Sequence, residues 1–154
     1  MFDALNQSVI MPGYSPVVTN RVTTIYEIVG LAPLVDVLAD NTAPNGFSIV
    51  PLSTEVSVPL GYPYGVLVEE IPLIDTVIRP WHQLPVYNFV FHGRAKVRLD
   101  ITSAPVRVGN YVKAHNFGKV TKATIGQLAL ARVMSNGEPG DLVDVFVYPS
   151  TAFY

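Results

Sequence analysis

Over residues 94–102 apolar and polar positions alternate strictly, with Ala95, Val97, Leu99 and Ile101 on one face and Arg94, Lys96, Arg98 and Asp100 on the other. Side chains along a strand point to opposite faces, so this period of two predicts a half-buried strand with a charged outer face. Two more runs alternate in the same way. Leu52, Thr54, Val56 and Val58 interleave with Ser53, Glu55 and Ser57, and Val106, Val108, Asn110 and Val112 interleave with Arg107, Gly109, Tyr111 and Lys113. Further strands are predicted at 17–29, 66–70, 73–78, 86–91, 119–122, 127–133 and 142–148. A spacing of about ten residues, punctuated by Gly, Pro and Asn, points to an all-β fold, a barrel or a sandwich.

Turn chemistry agrees at the C-terminal end. Asn136-Gly137 and Pro139-Gly140-Asp141 stand between two runs of strand formers, which predicts a hairpin with a longish loop. Residues 33–39 open with a proline suited to a first helical position, but their valines are poor helix formers, so helix and strand both stay open there. The first sixteen residues hold Pro12-Gly13 and Pro16 and follow neither period. They read as an extended N-terminal arm, 1–16, ahead of a β domain over 17–154 with a possible subdivision near residue 79. Phe2, Leu5, Val9, Ile10, Met11 and Tyr14 make that arm too apolar to hang free in water, so the alternative to a frayed terminus is docking on a neighbouring subunit.

Composition narrows the class. The 154 residues include no cysteine, 13 prolines, 11 glycines and 24 valines, and 49% are hydrophobic against 14% charged. A chain of this length buries enough surface for a core without metal or disulfide, and intrinsic disorder is excluded as its main state. Thiol catalysis, thiolate metal sites and disulfides are excluded with the cysteines. The longest charge-free stretch, 4–20, carries Asn, Gln, Ser and two prolines and does not read as a membrane span. No basic flank precedes an apolar stretch at the start, so the expectation is a protein made in the cytosol and kept there, or carried out inside an assembly.

Charge changes the picture further. Residues 1–78 hold eight acids and one base, and residues 79–154 hold nine bases and four acids. Either the halves neutralise each other within the fold, or the protein is polar and docks through complementary patches. Three like charges on one strand face, Arg94, Lys96 and Arg98, repel unless acids lie opposite or a partner supplies them.

Candidate chemistry is sparse. His82, His92 and His115 are not at metal-ligand spacing, and no nucleophile elbow, phosphate loop or dinucleotide fingerprint occurs. Glu69 and Glu70 are adjacent, so on a strand they face opposite ways and cannot act as a pair across one substrate. The expectation is no enzyme, no cofactor and no nucleic acid, since aliphatic residues fill the gaps between the bases. Trp81 sits between two prolines in the segment joining the acidic and basic halves. It is either a core plug or an interface anchor.

From Val106 the chain reads Val-Arg-Val-Gly-Asn-Tyr-Val, then Phe-Gly-Lys-Val from 117, Ile-Gly-Gln-Leu-Ala-Leu-Ala from 125, and Gly140-Asp141-Leu142-Val143-Asp144-Val145. This order resembles the C-terminal half of the capsid decoration (cement, or head-stabilisation) proteins of tailed bacteriophages, over about fifty residues. The resemblance implies a compact β-barrel or β-tulip-like domain with an N-terminal arm, located on the capsid surface of the virion. There it would bind the outside of an assembled head and bridge subunits of the major capsid protein, with copies of itself as further partners. Interface candidates on that reading are the six arm residues together with Trp81, Arg94, Lys96 and Arg98, and no catalytic residue is implied. The alternatives are another virion β module (tail-tube, head-completion or fibre-base subunit) and a carbohydrate-binding module using Trp81 and Tyr87.

Overall fold

A computed structural model of the chain describes residues 8–14, 22–33, 47–52, 63–72 and 86–153. The fold is all-β. Among the described residues nine strands run β1 (Val9–Tyr14), β2 (Ile28–Pro33), β3 (Phe47–Pro51), β4 (Tyr64–Leu67), β5 (Val86–Arg98), β6 (Tyr111–Ala114), β7 (Val120–Lys122), β8 (Leu128–Val133) and β9 (Leu142–Phe153). They form one sheet in the order β1-β3-β2-β4-β5-β9-β8-β6-β7, and β1 also pairs with β5. That extra pairing closes β1, β3, β2, β4 and β5 into a five-stranded barrel. The remaining strands continue from the far half of β5 and curl back, because Leu99 bridges Val120 in parallel and the Asp100 N–H donates to the Val120 carbonyl at 2.8 Å.

β5 is therefore common to both halves of the molecule. Its first part pairs with β1 from Tyr14–Val86 to Val9–His92 and with β4 at Val66–Val90 and Leu67–Phe89. Its second part pairs with β9 from Gly93–Val147 to Arg98–Leu142. Between them Ile10 faces Val90 and Val9 faces His92, which leaves Phe91 as an extra residue, a β-bulge. One inserted residue exchanges the two faces of a strand. So Val90 before the bulge and Ala95, Val97 and Leu99 after it belong to one core despite their opposite parity. Gly93, at φ 115°, takes the bend in a conformation that other residues rarely adopt.

The barrel has its own core of Val29, Leu31, Ile49, Leu67, Ile71 and Phe89, with Met11, Phe47, Tyr87 and Phe91 packed against it. Five strands leave little room, and Phe89 takes it. A Cβ added to Gly13 would lie 2.8 Å from the Phe89 ring, and one on Gly65 would lie 2.7 Å from it. Both glycines thus give up a side chain so that one aromatic ring can fill the barrel, whose burial is worth about 2 to 3 kcal/mol. Phe47 and Phe91 meet it edge-on at 6.3 and 6.4 Å between centroids. The larger core spans both halves: Ile28, Leu52, Val66 and Val90 from the barrel side meet Val97, Leu99, Val112, Val133, Val143, Val145 and Val147.

Several sequence expectations need correction. The strand predicted at 94–102 ends four residues early, since β5 stops at Arg98 and only Leu99 makes a further bridge. The Asp100 carboxylate accepts from the N–H and hydroxyl of Thr102, and the Ser103 N–H closes onto the Asp100 carbonyl, so the chain turns and Ile101 faces water at 76% exposure instead of filling the core. The run 106–112 is likewise broken. Asn110 binds Arg107 through both side chain and backbone, Gly109 takes φ 94°, and Val108 is exposed; the strand begins only at Tyr111. The strands expected at 86–91 and 94–102 are one element, joined through the bulge.

The described part of the arm is extended and pairs with the chain's own β5, and at Tyr14 with β3. Pro33 closes β2, while the rest of the 33–39 segment, the 73–78 strand and most of 52–58 lie outside the described residues. At the other end the hairpin forms as read: β8 and β9 pair around the Asn136–Asp141 loop, and Gly140 there has φ 89°.

Candidate interaction face

The outer face of the second half is built from three neighbouring strands. On β5 the residues turned away from the core are His92, Arg94, Lys96 and Arg98; on β9 they are Leu142, Asp144, Phe146 and Tyr148. The register sets Arg94 opposite Phe146, and Phe146 opposite Arg132 of β8, which in turn faces Tyr111 of β6. Phe146 thereby lies between two arginine positions in the sheet, and the Arg132 guanidinium reaches toward Gly109, where an added Cβ would stand 3.8 Å from it. His92 meets Phe146 edge-on at 5.1 Å and Tyr148 at 6.4 Å, and Phe146 and Tyr148 tilt together at 5.3 Å. This cluster is only partly covered, with Tyr148 39% exposed.

The three bases singled out from the sequence have different environments. Lys96 Nζ lies 3.6 Å from Asp144 across the strands, an exposed pair. Arg98 donates to the Gly140 carbonyl at 2.9 Å and so braces the β8–β9 loop. The Arg94 guanidinium has no carboxylate partner among the described residues, and neither has that of Arg132. Of the arm residues, Val9 and Ile10 are exposed on β1, Met11 packs against the barrel core, and Tyr14 is half-buried opposite Val86 and Ser48. Phe2, Leu5 and Trp81 lie outside the described residues.

Sequence reasoning missed Arg132, Phe146 and Tyr148 as surface residues. The signal was there for two of them: with Val143, Val145 and Val147 assigned to the core, the opposite phase of β9 has to carry Phe146 and Tyr148 outward.

A second polar cluster closes the end of the curled half. Asp100, largely buried, is held below its ordinary pKa first by the Thr102 hydroxyl, then by the Thr102 N–H, with His115 and Lys119 adding to the effect and burial opposing it. His115 Nε2 stands 3.8 Å from the carboxylate. The geometry ties the Asn116–Gly118 turn to the end of β5 and serves the fold. Among the described residues no three His, Cys, Asp or Glu side chains gather closely enough to hold a metal ion.

No protein-family model matches the chain, and no curated protein sequence is similar to it. Among solved structures it is similar to the crystal structure of the head fiber gp8.5 N base in bacteriophage phi29, with a TM-score of 0.56 and 13% sequence identity. The match covers 96% of this chain and 100% of that one. At this identity the two share a fold.

Proposed function

We propose that the chain is a structural protein of a tailed-phage virion that sits on the outside of the head as the base of a projecting fibre. The observation that carries the reading is the match in fold over essentially the whole of both chains, at once the barrel, the curled half and the strand common to them. One fold hosts many functions, and the step from fold to role is one of analogy. The surface supports it, because exposed Arg, Tyr and Phe side chains on a rigid sheet are what protein interfaces use at their centres.

Shell bridging as a decoration protein is the second reading, favoured by the order of turns from Val106 to Val145. Gly109, Gly118 and Gly140 in that stretch all take positive φ, which suits the turns in that order. The two readings divide on what the contact does. A base needs only to hold on, whereas a bridging protein binds the assembled lattice in preference to its broken form and stabilises it by linkage.

Purified protein mixed with undecorated heads and sedimented tests both. Saturable co-sedimentation is expected, and its absence sinks both readings. Heating the occupied heads then separates them: a raised rupture temperature supports bridging, and an unchanged one leaves the fibre base.

A further inference from the structure

Among the described residues only two other than glycine take a positive φ, Tyr26 at 74° and Phe117 at 55°. In that region the Cβ crowds the following carbonyl oxygen, so a bulky side chain is held there against its own preference. The two belong to opposite halves of the molecule and stand next to the same contact. Glu27, buried just ahead of β2, accepts the Thr24 N–H at 2.6 Å and the Thr24 hydroxyl at 3.1 Å. Its side chain lies so close to Gly118 that a Cβ added there would stand 2.6 Å from Oε1. On the barrel side the Tyr26 N–H donates to the Leu67 carbonyl at 3.0 Å. Across the seam the His115 N–H donates to the Lys119 carbonyl at 2.8 Å, which closes the turn around Phe117. With His115 also set against Asp100, that turn is fastened to both halves.

The turn itself does not require a phenylalanine. Asn or Gly adopts φ 55°, ψ 37° with less strain. Tyr26 is half-buried, whereas Phe117 leaves 53% of its surface in water, so its ring recovers only part of what full burial would contribute. Backbone strain that the surroundings hold in place at an exposed position points to function.

We infer that Phe117 is an anchor by which the chain seats on the head, its ring entering an apolar cleft in the shell protein. This contact rests on the proposed function and lies outside the Arg94–Phe146 face. Aromatic rings are enriched at the centres of protein interfaces, and a ring on a turn already fastened at both sides loses little freedom on binding. The cleft is apolar because the charged groups flanking the ring, His115 and Lys119, are set against the Asp100 carboxylate of the same chain.

Co-sedimentation with undecorated heads, set beside thermal melting of the same proteins, tests it. Phe117→Asn suits the left-handed backbone and melts no lower than the wild type, yet binds heads about tenfold or more weakly. Phe117→Leu, which keeps an apolar side chain, binds between the two. The ratio of wild-type to Phe117→Asn affinity is the same in about 0.1 M and about 0.5 M salt, as expected of an apolar contact. A wild type that does not bind heads refutes the proposed function and the anchor with it. Wild-type binding that Phe117→Asn leaves unchanged refutes the anchor alone, and the proposed function stands. A binding loss matched by a fall in melting temperature also refutes it, since the ring then serves the fold, and so does a ratio that collapses with salt.

Discussion

The two halves on either side of Gly93 solve the same packing problem by different means. The five-stranded barrel is filled by one large ring, Phe89, set against two glycines that carry no side chain at the point of contact. The curled half is filled by many small β-branched residues, Val97, Val112, Val133, Val143, Val145 and Val147, with no single plug. A core made of many interchangeable methyl groups spreads the cost of any one change. A core organised around one ring and two bare backbones concentrates it, because protein interiors have no slack to absorb an added carbon.

The sharpest way to break the comparison is to crowd the plug. Gly65→Val places methyl groups where the Phe89 ring already stands, and we expect a loss of about 3 kcal/mol in chemical denaturation. Combining it with Phe89→Leu recovers part of that loss, a non-additivity expected only of residues in contact. Full additivity would mean that the ring does not fill the barrel between these strands.

In the curled half the expected effects are smaller. Asp100→Asn removes a charge that accepts two hydrogen bonds from Thr102, and we expect about 1 kcal/mol lost at pH 7. The pH dependence has a definite sign. The folded carboxyl titrates below its ordinary value, so its contribution is fully present above the unfolded pKa and disappears as pH falls through the lowered folded one. The stability difference between wild type and variant should therefore be constant from neutral pH down to about 5 and close below about 4. A difference that grows on acidification would refute the assignment. Smallest of all, Lys96→Ala removes one exposed ion pair and should change stability by no more than about 0.5 kcal/mol, read as an unmoved denaturation midpoint.

The same contrast explains what could be read from the sequence. The curled half is made of neighbours in sequence, and its signals are local: Asn136-Gly137 for the last hairpin, Val143, Val145 and Val147 for its inner face, Gly109 and Gly140 for positive φ. Where that reading failed, a single side chain intervened. Asp100 turned the chain before Ile101 could reach the core, and Asn110 did the same after Val106; alternation counts apolar residues and is blind to a carboxylate capping an N–H.

The barrel was far less legible. Its closure joins Val9 to His92 and Tyr14 to Ser48, contacts that no local period encodes. β5 itself read as two strands, since the bulge at Phe91 breaks the phase of the alternation at the point where the halves meet. Of the interaction face, Arg94 was evident as a base on an alternating strand. That it differs from Lys96 and Arg98, and that Arg132 lies across Phe146 from it in the sheet, depends on the register of β8, β9 and β5, which sequence spacing alone does not fix.

The pairing of β1 with β5 also sets a timetable for synthesis. At 5 to 20 residues per second, β1 leaves the ribosome about 4 to 16 s before the segment that carries His92. During that interval Ile10 and Met11 have neither their cross-strand partners nor the Phe89 ring to pack against, and β2 to β4 lack the wall that β5 provides. The second half needs no such wait, for its hairpins are complete within a few tens of residues. The barrel thus cannot close until His92 has emerged, and the nascent polypeptide spends those seconds with apolar strands unshielded, the stretch of its life in which chaperones and wrong partners compete for it.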